Sequence, residues 1–139
     1  MVHALYEAWR VLLPQGTLID LRPLCADAPL EIVCAGGRAL AGQVDMSPDI
    51  AHEIAADQAI ETVVREGIIK KLRLDFFDFA YYWDTVADFL ADMDEYWQGE
   101  VILRAGVIRR AHALFKKYQP QARVRLRMPM KLENFVRVG

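Results

Sequence analysis

Residues 122–133 alternate strictly between apolar and polar side chains, and this alternation constrains the fold more than any other feature of the chain. The apolar positions are Ala122, Val124, Leu126, Met128, Met130 and Leu132. Successive side chains of a β-strand point to opposite faces, so the pattern predicts a long strand with one buried and one solvated face. Such a strand is typical of an antiparallel sheet. Pro129 has no backbone N–H to donate, which favours an edge or a bulge at that point.

The rest of the chain predicts an alternation of helices and strands. Apolar residues at helical spacing predict helices over residues 2–13, from Ser47-Pro48 to Gly67, from Thr85 to Trp97, and after Gly99 up to Pro120. Strands are predicted over residues 17–21, 30–34, 39–44 and 68–83. The short apolar run 17–21 suits a strand that is buried on both faces. The predicted fold is α/β, α+β in detail: one domain over residues 1–139, with helices packed on a mixed, mostly antiparallel sheet.

Composition narrows the class of protein. The chain has 139 residues, of which 54% are hydrophobic, and this is enough for a core without disulfide or metal staples. No apolar run approaches the ~20 residues of a membrane span. Glu7 and Arg10 interrupt the first apolar residues, so we expect no signal peptide. Cys25 and Cys34 are then expected to be reduced thiols in a cytoplasmic protein that binds no membrane.

Charge is unevenly distributed along the chain. Residues 45–100 carry fourteen acids against four Lys or Arg, whereas residues 101–139 carry ten Lys or Arg against one acid. One interpretation is that the two segments lie side by side, within a subunit or across a dimer. The other is an anionic partner. Arg123, Arg125 and Arg127 share one face of the last strand, as phosphate-binding side chains would; a charged edge strand is the plainer explanation.

The richest group of candidate ligand-binding residues is aromatic. Tyr81, Tyr82, Trp83 and Asp84 end the strand predicted over 68–83, and aromatic rings with polar tips often line a ligand pocket. Ordinary core packing explains the same pattern. Arg22 follows the strand 17–21, where ligands meet open α/β sheets, so it is also a candidate. A salt bridge explains Arg22 equally well.

Metal and nucleophile chemistry have no support in the residue spacing. His3, His52 and His112 are far apart, and none has metal-ligand spacing with a cysteine or a second histidine. Ser47 is the only serine, and a helix N-cap accounts for it. We therefore predict no metal site and no catalytic residues.

One motif resembles a known family. Residues 10–16 read Arg-Val-Leu-Leu-Pro-Gln-Gly and run into the apolar strand 17–21. This is similar to the helix, Pro-Gly-Gly turn and fifth strand of class I SAM-dependent methyltransferases, with Gln15 in place of the first glycine. The aromatic segment that ends in Asp84 and Thr85 resembles the start of a substrate-side helix in that family. The resemblance implies that the last two long strands form its closing antiparallel hairpin.

The elements that hold SAM in that family have no counterpart here. They are a glycine-rich turn after the first strand and an acid after the second. The nearest glycine-rich segment contains Gly36, Gly37 and Gly42, which lie between strands and lead into no helix. We therefore expect no cofactor, unless another chain completes a SAM site. We expect a non-catalytic domain that binds a partner or a small ligand. The alternatives are a component of a small-molecule methyltransferase and a nucleic-acid-associated protein. We also expect a homodimer that covers the strand 17–21.

Overall fold

The chain folds into five antiparallel strands in one open sheet and four α-helices. The computed structural model describes all residues 1–139. The predicted α+β class, with its largely antiparallel sheet and packed helices, is confirmed. None of the helices is long and apolar enough to cross a membrane.

The elements follow the predicted order closely. They are α1 (Val2–Val11), β1 (Thr17–Pro23), β2 (Ala28–Cys34), β3 (Gly37–Val44), α2 (Ile50–Arg65), β4 (Ile69–Trp83), α3 (Val86–Tyr96), α4 (Ala105–Tyr118) and β5 (Arg123–Arg137). A 3-10 turn at Ser47–Asp49 precedes α2.

Strand β5 is the centre of the sheet. The order is β1-β5-β2-β3, and β4 also pairs with β5. The second half of β5 pairs with β1, so that Thr17 lies opposite Val136. Its first half pairs with β2, so that Leu30 lies opposite Leu126. Because β1, β3 and β4 each pair with a single strand, each has one edge without a strand neighbour.

The chain forms two compact units. Unit 1 consists of Met1–Leu24, Ile50–Phe77 and Met130–Gly139; unit 2 consists of Cys25–Asp49 and Asp78–Pro129. Unit 1 contains the first part of β4 and the second part of β5, and unit 2 contains the remainder of both strands.

Unit 1 packs helices α1 and α2 on its part of the sheet. Ile60, Val63, Ile69 and Phe135 form its buried core, and α1 supplies partly buried residues around it. The close approach of Gly16 to Leu13 shapes the turn after α1: an added Cβ at Gly16 would lie 2.7 Å from the Leu13 carbonyl oxygen.

Two predictions about buried faces are wrong in unit 1. In the second half of β5 the polar Lys131 and Glu133 are buried, while the apolar Leu132 is only half-buried. Lys131 and Glu133 lie opposite Arg22 and Asp20 on β1. Ion pairs among these four side chains, and between Lys131 and Asp57, stabilise their burial. The predicted alternation therefore reverses in this half of the strand.

Strand β1 is also not buried on both faces. It pairs antiparallel with β5, so only alternate side chains face the core. Leu18 packs against that core, whereas Ile19 is 60% exposed and Leu21 is also exposed.

Unit 2 packs α3 and α4 against a second core, and here the alternation of β5 is confirmed. The largest fully buried side chains of this unit are Leu30, Ile32, Val44, Phe89, Val124, Leu126 and Met128. Helix α3 begins as predicted, because the Thr85 side chain accepts a hydrogen bond from the backbone N–H of Asp88. The polar residues between the buried positions of β5 lie on the other face, where the main charged cluster of this unit is found.

Candidate functional site

The most concentrated charge in unit 2 lies on the face of β5 away from its core. Arg123, Arg125 and Arg127 alternate with buried apolar residues, and Glu31 on β2 lies opposite Arg125 in the ladder. Arg38, on β3, also reaches Glu31. We call Arg38, Arg123, Arg125, Arg127 and Glu31 the arginine face.

Glu31 is the centre of this face and is only 4% exposed. Arg125 donates from Nε to Glu31 Oε2 at 2.9 Å, and its Nη2 lies 2.7 Å from the same oxygen. Arg127 Nε lies 3.3 Å from Oε2, and Arg38 Nε lies 3.5 Å from Oε1. One buried carboxylate therefore neutralises charge beside three guanidinium groups. A buried carboxylate needs such partners, because an unpaired charge is costly to desolvate.

Two of the predicted ligand-binding residues, Tyr82 and Asp84, contact Arg123 of the arginine face. The Arg123 guanidinium is 5.4 Å from the centre of the Tyr82 ring, within the range of a cation–π interaction. Arg123 Nε also donates to Asp84 Oδ1 at 2.9 Å. A hydrogen bond with Tyr82 raises the pKa of Arg125 above its ordinary value. Burial lowers this pKa, but the interaction with Glu31 raises it further, so the net shift is upward. Tyr82 thus supplies the aromatic side chain beside the arginine stripe that β5 itself lacks.

A cavity adjoins the arginine face where the β2–β3 turn begins. Its volume is about 440 Å³, and it is lined by Val33, Cys34, Gly37, Arg38 and Arg125. Gly37 has a φ of +140°, which suits the tight turn, and leaves space where a side chain would stand. The charged groups in this cavity are the guanidinium groups of Arg38 and Arg125, which are donors of the kind that suits an anion.

The other two aromatic candidates pack within unit 2. Trp83 is buried against Phe89, and its Nε1 donates to Asp92 Oδ2 at 2.5 Å. Tyr81 stacks on Trp83 and meets Trp97 edge-on. Both rings therefore belong to a packed aromatic cluster rather than to the cavity lining.

The fifth candidate, Arg22, lies in a charged network of unit 1. Its Nε donates to Asp20 at 2.8 Å, and its Nη2 donates to Asp57 at 2.6 Å. Asp57 also accepts from Lys131 at 2.6 Å. Burial opposes the charge on Arg22, but the hydrogen bonds to Asp57 and Asp20 outweigh it and raise the pKa of Arg22.

A second cavity, of about 290 Å³, adjoins this network in unit 1. Its lining residues are Asp57, Ile60, Glu61, Lys71, Leu74, Phe76, Lys131 and Glu133. Glu133 is buried and pairs with Lys71 and Lys131. The three cations Arg22, Lys71 and Lys131 balance the three acids Asp20, Asp57 and Glu133, so the network neutralises itself. This balance favours a stabilising role for Arg22.

Sequence reasoning missed two residues that define the arginine face. Arg38 follows the two glycines of a hairpin turn, and nothing nearby in the sequence links it to the last strand. Glu31 does carry a signal, because it is the one charge within the apolar run 30–34. A charged residue inside a buried strand requires an opposite charge on a neighbouring strand.

No group of three or more His, Cys, Asp or Glu side chains comes together in a way that would hold a metal ion. A scan against protein-family models and searches of curated proteins and of solved structures found no match to the chain.

Proposed function

We propose that the chain is a non-catalytic, methyltransferase-like binding domain, and that its unit 2 binds a small ligand carrying a phosphate group. The observation that carries this proposal is the arginine face. Glu31 is a single buried carboxylate among three guanidinium groups, and a cavity opens beside two of them, Arg38 and Arg125.

The charge balance of this face favours an anion. Its four arginines are accompanied by three acids, Glu31, Asp78 and Asp84, which leaves one positive charge in excess. A guanidinium presents a planar fork of donors that matches two phosphate oxygens, and bonds of this kind are stronger than neutral ones. A phosphate group in the cavity would place its negative charge beside this excess positive charge.

Arg38 is the residue best suited to hold the ligand. Its side chain is 63% exposed and its Nε is 3.5 Å from Glu31, so it is only loosely held. Arg125 is held tightly by Glu31 at 2.7 Å and therefore presents a fixed positive charge. Because Arg125 is already ordered, it lowers the entropic cost of binding, whereas Arg38 becomes ordered when it closes on the ligand.

The charged side chains of the cavity lining are those of Arg38 and Arg125, and its remaining residues are Val33, Cys34 and Gly37. Guanidinium donors on β3 and β5 support the binding of an anion.

Calorimetric titration tests the proposal. The probes are inorganic phosphate, adenosine monophosphate and a short single-stranded oligonucleotide, each against the wild type and Arg38→Gln. Arg109→Gln, which removes an exposed arginine from α4, is the matched control. We expect phosphate and the mononucleotide to bind the wild type and the control, and to bind Arg38→Gln at least about tenfold more weakly, which corresponds to ~1.4 kcal/mol. Equal affinity in all three proteins contradicts the proposal.

The oligonucleotide distinguishes the source of the phosphate. Binding that is much tighter than that of the mononucleotide, with a steep salt dependence, would replace the small-ligand proposal with a nucleic-acid one. The oligonucleotide is compared with the mononucleotide because Tyr82 lies beside Arg123 and can stack with a base.

A second candidate function follows from β1. Its outer edge has no strand neighbour and Ile19 is exposed, whereas the strand that it resembles in methyltransferases has a parallel neighbour on that side. The chain would then be a component of a small-molecule methyltransferase, with SAM bound at a junction between two chains. Titration of the wild type with SAM tests it. Heat of binding or a thermal shift supports this function, and the absence of both signals contradicts it.

A further inference from the structure

We infer that the phosphate-bearing ligand of unit 2 is a nucleoside monophosphate, whose phosphate lies between Arg38 and Arg125 and whose base stacks on Tyr82. The base contact depends on the proposed phosphate site, because it adds a second contact to the same ligand. The relevant surface is the face of the sheet between the cavity and the Tyr82 ring, and all of it belongs to unit 2.

A single row of side chains crosses the sheet from the cavity to Tyr82. Arg38 lies opposite Val33 in the ladder between β3 and β2, and Val33 lies opposite Arg123 in the ladder between β2 and β5. Directly opposed residues of antiparallel strands share a face, so these three side chains lie on the same side of the sheet. The Arg123 guanidinium is 5.4 Å from the centre of the Tyr82 ring on β4. The row therefore joins two cavity-lining residues to an aromatic ring.

Arg125 connects the cavity to the same ring. It lines the cavity, and its side chain also makes a hydrogen bond with Tyr82. Two arginines therefore orient the Tyr82 ring, yet Tyr82 is 46% exposed and the Arg123 side chain is 51% exposed. Tyrosine rings and guanidinium planes are the groups on which proteins stack nucleobases. Exposed surface of both kinds is thus available to a base at this end of the row.

The neighbouring rings of β4 are already engaged. Tyr81 stacks on Trp83 and meets Trp97 edge-on, and Trp83 packs against Phe89. Tyr82 instead contacts the arginines of β5. Tyr82 is therefore the ring of this aromatic segment that a ligand in the cavity would meet.

The width of the sheet determines the length of the ligand. The proposed phosphate position, between Arg38 on β3 and Arg125 on β5, lies over Val33 on β2. Neighbouring strands are about 4.8 Å apart, so Tyr82 on β4 lies about 10 Å across the sheet from Val33. A ring bonded directly to a phosphate, as in phenyl phosphate, is too short to reach from one to the other. A pentose between the phosphate and the ring supplies the missing length.

Calorimetric titration with three phosphate compounds tests this assignment. The probes are adenosine monophosphate, ribose 5-phosphate, which lacks the base, and phenyl phosphate, which lacks the sugar. The proteins are the wild type, Tyr82→Leu, Tyr82→Phe and the matched control Tyr96→Leu, which removes a 66% exposed tyrosine from α3. We expect the wild type to bind adenosine monophosphate at least about fivefold more tightly than either of the other compounds, because stacking on one ring contributes at least that much.

The ratio of the affinities for adenosine monophosphate and ribose 5-phosphate isolates the base contact from the phosphate contact. The ratio should persist in Tyr82→Phe, which keeps the ring, and in Tyr96→Leu. It should fall to about one in Tyr82→Leu, where nothing remains for the base to stack on. Ribose 5-phosphate binding by Tyr82→Leu checks that this variant is folded, and the wild-type ratio is decisive even without the variant.

The outcomes separate the base contact from the phosphate site. Equal wild-type affinity for adenosine monophosphate and ribose 5-phosphate overturns the base contact and leaves the phosphate site standing. A ratio that survives in Tyr82→Leu also overturns it, because the base then stacks elsewhere. Phenyl phosphate that binds as tightly as adenosine monophosphate overturns the sugar spacer and with it the nucleotide. If none of the three compounds binds, the base contact and the proposed phosphate site are both wrong.

Discussion

Glu31 lies opposite Arg125 in the antiparallel ladder between β2 and β5, and the Arg125 Nη2 atom is 2.7 Å from the Glu31 carboxylate. The pair is nearly buried, with side-chain exposures of 17% for Arg125 and 5% for Glu31. Arg127 and Arg38 approach the same carboxylate from neighbouring positions. The Glu31 carboxylate thus offsets the repulsion between the three neighbouring guanidinium groups.

Glu31→Gln should destabilise the protein substantially. The substitution keeps the shape of the side chain but leaves buried guanidinium charge without its partner. Removing one member of a buried pair typically costs about 3–5 kcal/mol. Urea unfolding measures the loss. Glu7→Gln is the matched control, because Glu7 pairs with Arg10 on the surface of α1 and should contribute at most about 1 kcal/mol. Equal effects of the two substitutions would mean that Glu31 is not a central partner.

The charged network of unit 1 should make stability depend on pH through Asp57. Burial raises the pKa of Asp57, but hydrogen bonds from Lys131 and Arg22 outweigh it and hold the pKa below its ordinary value of 3.8. A carboxyl group whose pKa is lowered in the folded state stabilises the protein at pH values above the ordinary pKa of that group. That stabilisation is lost as the pH falls through the lowered pKa.

Asp57→Asn checks this assignment. At neutral pH the variant should be less stable than the wild type, by a modest amount because 42% of the Asp57 side chain is exposed. As the pH falls below the ordinary value of 3.8, the difference should shrink, because the stabilisation is lost as the wild-type carboxyl becomes protonated. Urea midpoints measured across this range give the result. A difference that is constant with pH would contradict a role for the Asp57 charge.

The close packing of β3 on α4 predicts the effect of a single methyl group. A Cβ added at Gly42 would lie 2.7 Å from Val107 Cγ2. Gly42→Ala should therefore destabilise the protein by about 1–3 kcal/mol, the usual range for overpacking. Val107→Ala in the same chain should restore part of the loss by making room. Gly37→Ala is the control, because Gly37 shares the positive φ of Gly42, at +140° against +155°, and nothing lies within 4 Å of its added Cβ. Thermal unfolding that shifts equally for both alanines would show that the contact is not limiting.

Local patterns predicted most of the fold because the residues that set each element are neighbours in sequence. The Thr85 cap of α3, the glycines before Arg38 and the alternation 122–128 each carry their own signal. The second half of β5 was predicted wrongly because an alternation identifies two faces but not which face is covered. Lys131 and Glu133 are buried by partners on β1 and α2, which are distant in sequence.

The candidate site was predicted only in part for the same reason. Tyr82 and Asp84 were identified from an aromatic segment, but their contacts with Arg123 depend on the pairing of β4 with β5. Tyr81 and Trp83 belong to the same segment and turn to the opposite face, where they pack with Trp97 and Phe89. A run of aromatic residues does not show which of its rings face a ligand.

The proposed phosphate site is tested most directly by the thermal stability of the wild type and Arg38→Gln at increasing concentrations of inorganic phosphate, with chloride at matched ionic strength as the reference. A ligand that binds only the folded state raises the melting temperature, and at a given ligand concentration the rise is larger when binding is tighter. The wild type and Arg109→Gln should show a phosphate-specific rise, and Arg38→Gln should lose most of it. An equal rise in all three proteins, or none in the wild type, would contradict a phosphate site on the arginine face.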